Sequence, residues 1–285
     1  MEKLVKTGPV VIRLRDFSVK NTWSLWQWKL EPFTVKENLK ADITVDFGKH
    51  SDCPRISPLT QEKSGFYKRC VYSSQNGSEI HTLESKNETV ISFYKNQNCI
   101  SLIDDKTSSD LQAPFEFLSR TVIHSLLPYG VLTFHGVLME HNGKGIIISA
   151  PSETGKTTHA RLWRDHKNAL ILNGDNACCY KSTEWTAFSL PWSGTSGESI
   201  NRSVSVKALV ILEQSNENTV TKLGNIDTFS ATLPNIQYPH WDKEASEKAI
   251  DLLSDFIKDI PVFRLTCRPD KDAADVLEKA LEEIK

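Results

Sequence analysis

The chain has 285 residues, 39% hydrophobic and 25% charged, an ordinary composition for a globular protein of one large α/β domain or two smaller ones. Its 34 Lys and Arg against 36 Asp and Glu, a formal net charge of −2, give no electrostatic reason to expect nucleic acid or a membrane surface as partner. No run approaches the roughly 20 apolar residues that span a bilayer, and Met1 to Lys6 lack the apolar core of a secretory signal. A cytoplasmic location is therefore expected. The six cysteines, Cys53, Cys70, Cys99, Cys178, Cys179 and Cys267, form no C-x-x-C pair and are expected as free thiols.

Residues 1–110 read as a β-rich region. Short β-branched or alternating runs recur at Val10 (VVIRL), Ala41 (ADITVDF), Glu88 (ETVISFY) and Cys99 (CISLI), separated by polar turns. Nothing in them resembles a catalytic motif. The period then changes. From Pro114, PFEFLSRTVIHSLLPYG puts Phe115, Leu118, Val122 and Leu126 on one helical face, and Pro128 to Gly130 stop the helix. This is the expected seam, with a second domain over residues 111–285.

In VLTFHGVLMEHNGKGIIISA, Asn142-Gly143 is a strong hairpin signal, because a type I′ turn needs positive φ at both positions. That turn sets His141 opposite Lys144, and the register carries His135 to Ala150. IIISA reads as a buried strand and GKTTHARLW as a helix, with APSETGKT between them in the form of a phosphate-binding loop. In that context backbone N–H groups and a helix N-terminus make an anion cradle. Ser152, Glu153, Thr154, Gly155, Lys156, Thr157 and Thr158 are the expected nucleotide-binding residues. Lys156 can reach the outer phosphates and the Thr157 hydroxyl can ligate Mg²⁺. Ala150 replaces the usual first glycine, which costs little if its φ stays negative.

A metal carboxylate is expected at the end of a neighbouring strand, and ALILNGD supplies Asp175 just past an apolar run. PWSGTSGES (Pro191 to Ser199) reads as a glycine-rich loop closing over phosphates or substrate, with Trp192 as its anchor. Arg202 is the nearest guanidinium to stabilise transferring charge. Arg161 and Arg164 are expected to be solvated. Further strands are expected at Ala169–Leu172, Val206–Glu213 and Val262–Leu265, followed by two late amphipathic helices, the last behind an Asp270 cap. The expected architecture is an α/β (α+β) core around a central mixed sheet.

The order His135-Gly136, hairpin, phosphate loop, helix, strand, Asp175 resembles the core of the HPr kinase/phosphorylase family and its phosphoenolpyruvate carboxykinase-like relatives. PWSGTSGES and IPVFRLTCRPD resemble a bacterial subgroup often encoded near peptide-modification genes. The resemblance covers roughly Phe115 to Lys285. It implies a P-loop kinase core, with Lys156 on the β- and γ-phosphates, Thr157 on Mg²⁺, and Asp175 and His135 at the reacting hydroxyl and the metal. The family commonly shows two adjacent acids, whereas Asn173-Gly174-Asp175-Asn176 holds one, so either Asp175 or His135 handles the proton.

The expected function is transfer of the γ-phosphoryl group of Mg-ATP to a hydroxyl, with a peptide or protein Ser or Thr as acceptor. A small-molecule hydroxyl kinase and a catalytically weak nucleotide-binding regulator are the alternatives. Oligomerisation is left open.

Overall fold

The computed structural model describes residues 2–16, 24–48, 54–86, 88–105 and 112–284; Cys53 lies outside them. The fold is mixed α/β, with two mixed sheets and, among the described residues, six α-helices. No helix among them is long and apolar enough to cross a membrane. Two compact units divide the chain, Met1–Leu126 and Leu127–Lys285. The helix that the sequence reading grouped with the second region therefore counts with the first.

The first unit contains β1 (Lys3–Thr7), β2 (Val10–Arg15), α1 (Ser24–Leu30), β3 (Thr34–Val35), β4 (Ile43–Asp46), β5 (Pro58–Ser64), β6 (Tyr67–Ser73), β7 (Glu79–Ser85), β8 (Glu88–Asn96), β9 (Cys99–Asp105) and α2 (Gln112–Leu126). Its sheet runs β3-β1-β2-β4-β9-β8-β7-β6-β5. The four predicted strands are β2, β4, β8 and β9. In α2 the predicted face is the buried one: Phe115, Leu118, Val122 and Leu126 are all in the core, and Phe117 packs against Phe93 of β8 with ring centroids 6.1 Å apart. Beneath α2 lies a buried polar group. Glu79 accepts from both His81 Nε2 and Lys95 Nζ at 2.9 Å, and the His81 ring lies 6.2 Å from that of His124 on α2.

The second unit contains β10 (Leu132–His141), β11 (Lys144–Ser149), α3 (Lys156–Lys167), β12 (Leu170–Asn173), β13 (Asn176–Lys181), β14 (Trp185–Phe188), β15 (Ser203–Gln214), β16 (Thr219–Lys222), α4 (Asn225–Thr232), α5 (Lys243–Asp259), β17 (Val262–Cys267) and α6 (Lys271–Glu282). Strand order is β11-β10-β13-β14-β15-β17-β16, and β11 also pairs β15 in parallel. Those pairings close β11, β10, β13, β14 and β15 into a ring. β11 is buried on both faces, which is why its sequence is a continuous apolar run. Ile147 joins one core with Leu209, Leu253 and Phe256; Ile146 and Ile148 join the other with Trp163, Leu265 and Leu277. Helices thus cover both faces of this sheet, α5 on one and α3 and α6 on the other. Asp270 caps α6 by accepting from Ala273 N at 3.1 Å, as predicted.

Five described cysteines, Cys70, Cys99, Cys178, Cys179 and Cys267, are free. Burial pushes the Cys178 thiol up to about 12 and that of Cys179 well above its ordinary value. Both are unreactive core residues at neutral pH.

Candidate functional site

β10 organises the site. On one edge it pairs with β11 from His141↔Lys144 to Gly136↔Ser149, the predicted register. The turn residues Asn142 and Gly143 take φ of 52° and 73°. On the other edge it pairs with β12 through Leu138 to Glu140 and with β13 through Leu132 to His135. The Gly174-Asp175 corner between those two strands therefore lies beside His135 and Gly136, and Gly136 N donates to Asp175 O at 2.9 Å. One strand thus positions both the loop after β11 and the corner that carries Asp175. His135 Nδ1 lies 3.6 Å from Asp175 Oδ1, within ion-pair range but longer than a hydrogen bond.

The loop from Ala150 to Gly155 leaves β11 and enters α3, as expected. Positive φ in it is confined to Glu153, at 65°, and Gly155, at 107°, so Ala150 carries no left-handed strain and is fully buried. The Gly155 conformation disfavours any side chain. Lys156, 7% exposed, folds back beneath the loop, and Nζ donates to Ala150 O at 2.8 Å and Pro151 O at 3.0 Å. Burial lowers the Lys156 pKa, and the charge of Asp175 partly restores it. Lys156 and Asp175 therefore sense each other electrostatically. Ser152, Glu153 and Thr158 are exposed, and Thr157 is half-buried.

Asp175 is held by amides that the sequence reading missed. Asn173, fully buried, accepts at Oδ1 from Asp175 N (3.0 Å) and Asn176 N (2.8 Å). Its Nδ2 donates to Ser189 Oγ, Leu190 O and Trp192 O at 2.9–3.2 Å. Asn176 Nδ2 donates to Asp175 Oδ2 at 3.0 Å, and Gln237 Nε2 donates to Asn176 Oδ1 at 2.8 Å. As bare sequence, NGDN is indistinguishable from a surface turn. Nothing in it signals that both asparagines face inward.

The glycine-rich loop is folded onto this corner, with Trp192 buried as its anchor. Gly174 N donates to Glu198 O at 3.0 Å. A Cβ on Gly174 would collide with the side chain of Ser196, and one on Gly194 would lie 2.8 Å from Asp175 Cγ. The corner and the loop fit because both positions lack side chains. Glu198 then pairs with Arg164 at 2.9 Å and reaches Arg161 at 4.0 Å. The two arginines expected to be simply solvated thus clasp the loop to α3. Such solvent-exposed pairs contribute little, so the backbone bonds and Asn173 hold the loop.

Arg202 is engaged elsewhere. Its guanidinium makes a two-pronged pair with Glu140 at 2.8 Å, five residues along β10 from His135. Glu140 stands roughly 17 Å along the strand from His135 at its rise per residue, and Arg202 is engaged there in the structure.

Beside the loop, a cleft of about 690 Å³ opens where the parallel strands β15 and β17 end. Gly155, Thr158 and His159 form one wall, and Leu212, Gln214 and Pro269 contribute to the other. Its position beyond the carboxyl ends of parallel strands is where open α/β sheets bind ligands, and its size suits a nucleotide-sized molecule. Among the described residues no cluster of three or more His, Cys, Asp or Glu could hold a metal. The Thr157 hydroxyl and the Asp175 carboxylate are hard oxygen donors of the kind Mg²⁺ takes when phosphates complete its shell, so the donor set fits that ion.

No curated protein matches the sequence. Among solved structures, the HPr(Ser) kinase/phosphatase of Coxiella burnetii aligns over 53% of this chain and 97% of its own, at 9% identity and a TM-score of 0.32. That likeness is too loose to bear on fold or activity. The family model described as SynChlorMet cassette protein ScmC matches residues 100–282, well over half of the chain, and the protein therefore belongs to the ScmC family.

Proposed function

We propose that the protein is a phosphotransferase that moves the γ-phosphoryl group of Mg-ATP to a hydroxyl, with a serine or threonine of a peptide or protein as acceptor. One observation carries the reading: the strand–loop–helix unit with Lys156 and the His135–Asp175 pair converge at one end of the same sheet. The motif order that resembles HPr-type kinases points the same way.

In this reading the loop amides and Lys156 hold the phosphates and neutralise their charge. Thr157 and Asp175 would hold Mg²⁺, which would supply further charge neutralisation. The acceptor oxygen attacks the γ-phosphorus, the bond from that phosphorus to the β,γ-bridging oxygen breaks, and ADP leaves with the electron pair. The acceptor proton passes to Asp175, whose Oδ1 faces His135 and whose Oδ2 is fixed by Asn176. Positioning and electrostatics thus do most of the catalysis.

Calorimetry with Mg-ATP and an ADP-release assay, run against Lys156→Ala, test the reading. The wild type binds, turns over when a hydroxyl acceptor is present, and loses both properties in the variant. Binding without turnover across peptide and small-molecule acceptors points instead to a regulator. Absence of binding and of any rise in melting temperature ends the nucleotide reading.

A further inference from the structure

His159 belongs to the first turn of α3 and forms part of the cleft wall. Its side chain is 2% exposed. Nε2 accepts the indole N–H of Trp163 at 3.1 Å, so the neutral imidazole carries its proton on Nδ1. Trp163 is itself fully buried and packed edge-on by His141, with ring centroids 5.1 Å apart. The tautomer is therefore fixed from behind. Nδ1–H, turned away from the indole, is buried and has no hydrogen-bond partner among the described residues. Such a donor is expensive to leave unmade and calls for an explanation. Across the cleft, Gln214 Nε2 donates to Thr154 O at 3.2 Å, tying the loop to the end of β15.

We infer that His159 reads the nucleoside end of the nucleotide: Nδ1–H donates to an acceptor on the base or ribose seated in the cleft between α3 and the ends of β15 and β17. The inference rests on the nucleotide reading above and adds a selectivity residue that the G-K-T motif does not include. Lys156 and the loop amides recognise phosphate; His159 distinguishes a nucleoside triphosphate from a bare polyphosphate.

Calorimetry with Mg-ATP and with magnesium tripolyphosphate separates these roles. Wild type binds ATP more tightly than tripolyphosphate. His159→Leu weakens ATP about 10-fold, the scale of one lost hydrogen bond, and leaves tripolyphosphate within about twofold. His159→Asn, which keeps an N–H near the position of Nδ1, recovers most of the ATP affinity. Nitrogen-labelled histidine in the wild type gives a check that needs no variant: the His159 Nδ1–H resonance moves with ATP and stays in place with tripolyphosphate. Equal losses of both ligands in His159→Leu, or a wild type that binds both equally, overturn the inference while the phosphate loop stands. A resonance indifferent to ATP also overturns it. A wild type that binds neither ligand overturns the nucleotide reading, and this inference with it.

Discussion

Ser196 stands where a side chain at position 174 would have to go. An ideal Cβ on Gly174 lies 2.5 Å from Ser196 Cβ and closer still to its hydroxyl, which donates to Ser193 O at 2.6 Å. A second acid at 174, the feature whose absence the sequence made conspicuous, is thus excluded by the folded loop. Gly174→Ala is expected to cost about 1–3 kcal/mol through overpacking. In a Ser196→Gly background the same change costs less than half as much, a coupling that a double-mutant cycle of chemical denaturation reads directly. Additive losses would show that Ser196 does not occupy the space.

The second unit was more legible than the first for physical reasons. The Asn142-Gly143 turn fixed a register that holds through Gly136↔Ser149. Ile146 to Ile148 could only be a buried strand. In the first unit, β5 (PLTQEKS) offers no apolar alternation, so hydrophobic periodicity could not reveal it. The candidate site was legible where a residue stands in a recognisable motif, as with Lys156 and Asp175, which the structure brings within electrostatic reach of each other. It was hidden where a residue works by touching something distant in sequence. Asn173 looks like a turn residue and is a buried clamp; Arg202 looks available and is paired with Glu140. Nothing local separates those cases.

The His135–Asp175 pair gives unequal roles. Asp175 is fixed by Asn176 and senses Lys156, whereas His135 meets it only at 3.6 Å. If the proposed transfer holds, Asp175→Asn takes away both the proton acceptor and a metal ligand assigned there, and transfer is expected to fall on the order of 10³-fold or more. His135→Ala removes orientation and falls roughly 10- to 100-fold. Single-turnover transfer from ATP measures both; equal, mild losses would contradict the assignment.

Asn173 joins the corner to the segment that leads into the glycine-rich loop through five hydrogen bonds. Asn173→Ala strands buried carbonyls and N–H groups and is expected to destabilise by at least about 3 kcal/mol. Asn173→Asp keeps the acceptor for Asp175 N and Asn176 N but turns a carboxylate oxygen toward Leu190 O and Trp192 O. It therefore does not rescue stability, despite equal size. Urea denaturation of both variants checks this, and a near-wild-type Asn173→Asp would refute the clamp.

Buried histidines set the acid response. His159, His81 and His124 all have native pKa values lowered by burial, with His81 partly restored by Glu79 and His159 near 4. Above the ordinary value of 6.5 both folded and unfolded chains are neutral at these positions. As pH falls below 6.5 the unfolded chain binds protons that the folded chain refuses, so stability is lost. For His159 the loss runs from 6.5 down to about 4 and totals about 3 kcal/mol at most. Glu79, held below the usual carboxylate range by His81 and Lys95 despite its burial, adds a second loss as pH falls below 4.5. Denaturation curves between pH 7.5 and 4.5 should therefore show a steady fall for the wild type. His159→Leu should show a shallower one, because its share of the proton linkage is gone. Parallel slopes for the two proteins would mean that His159 titrates normally in the fold.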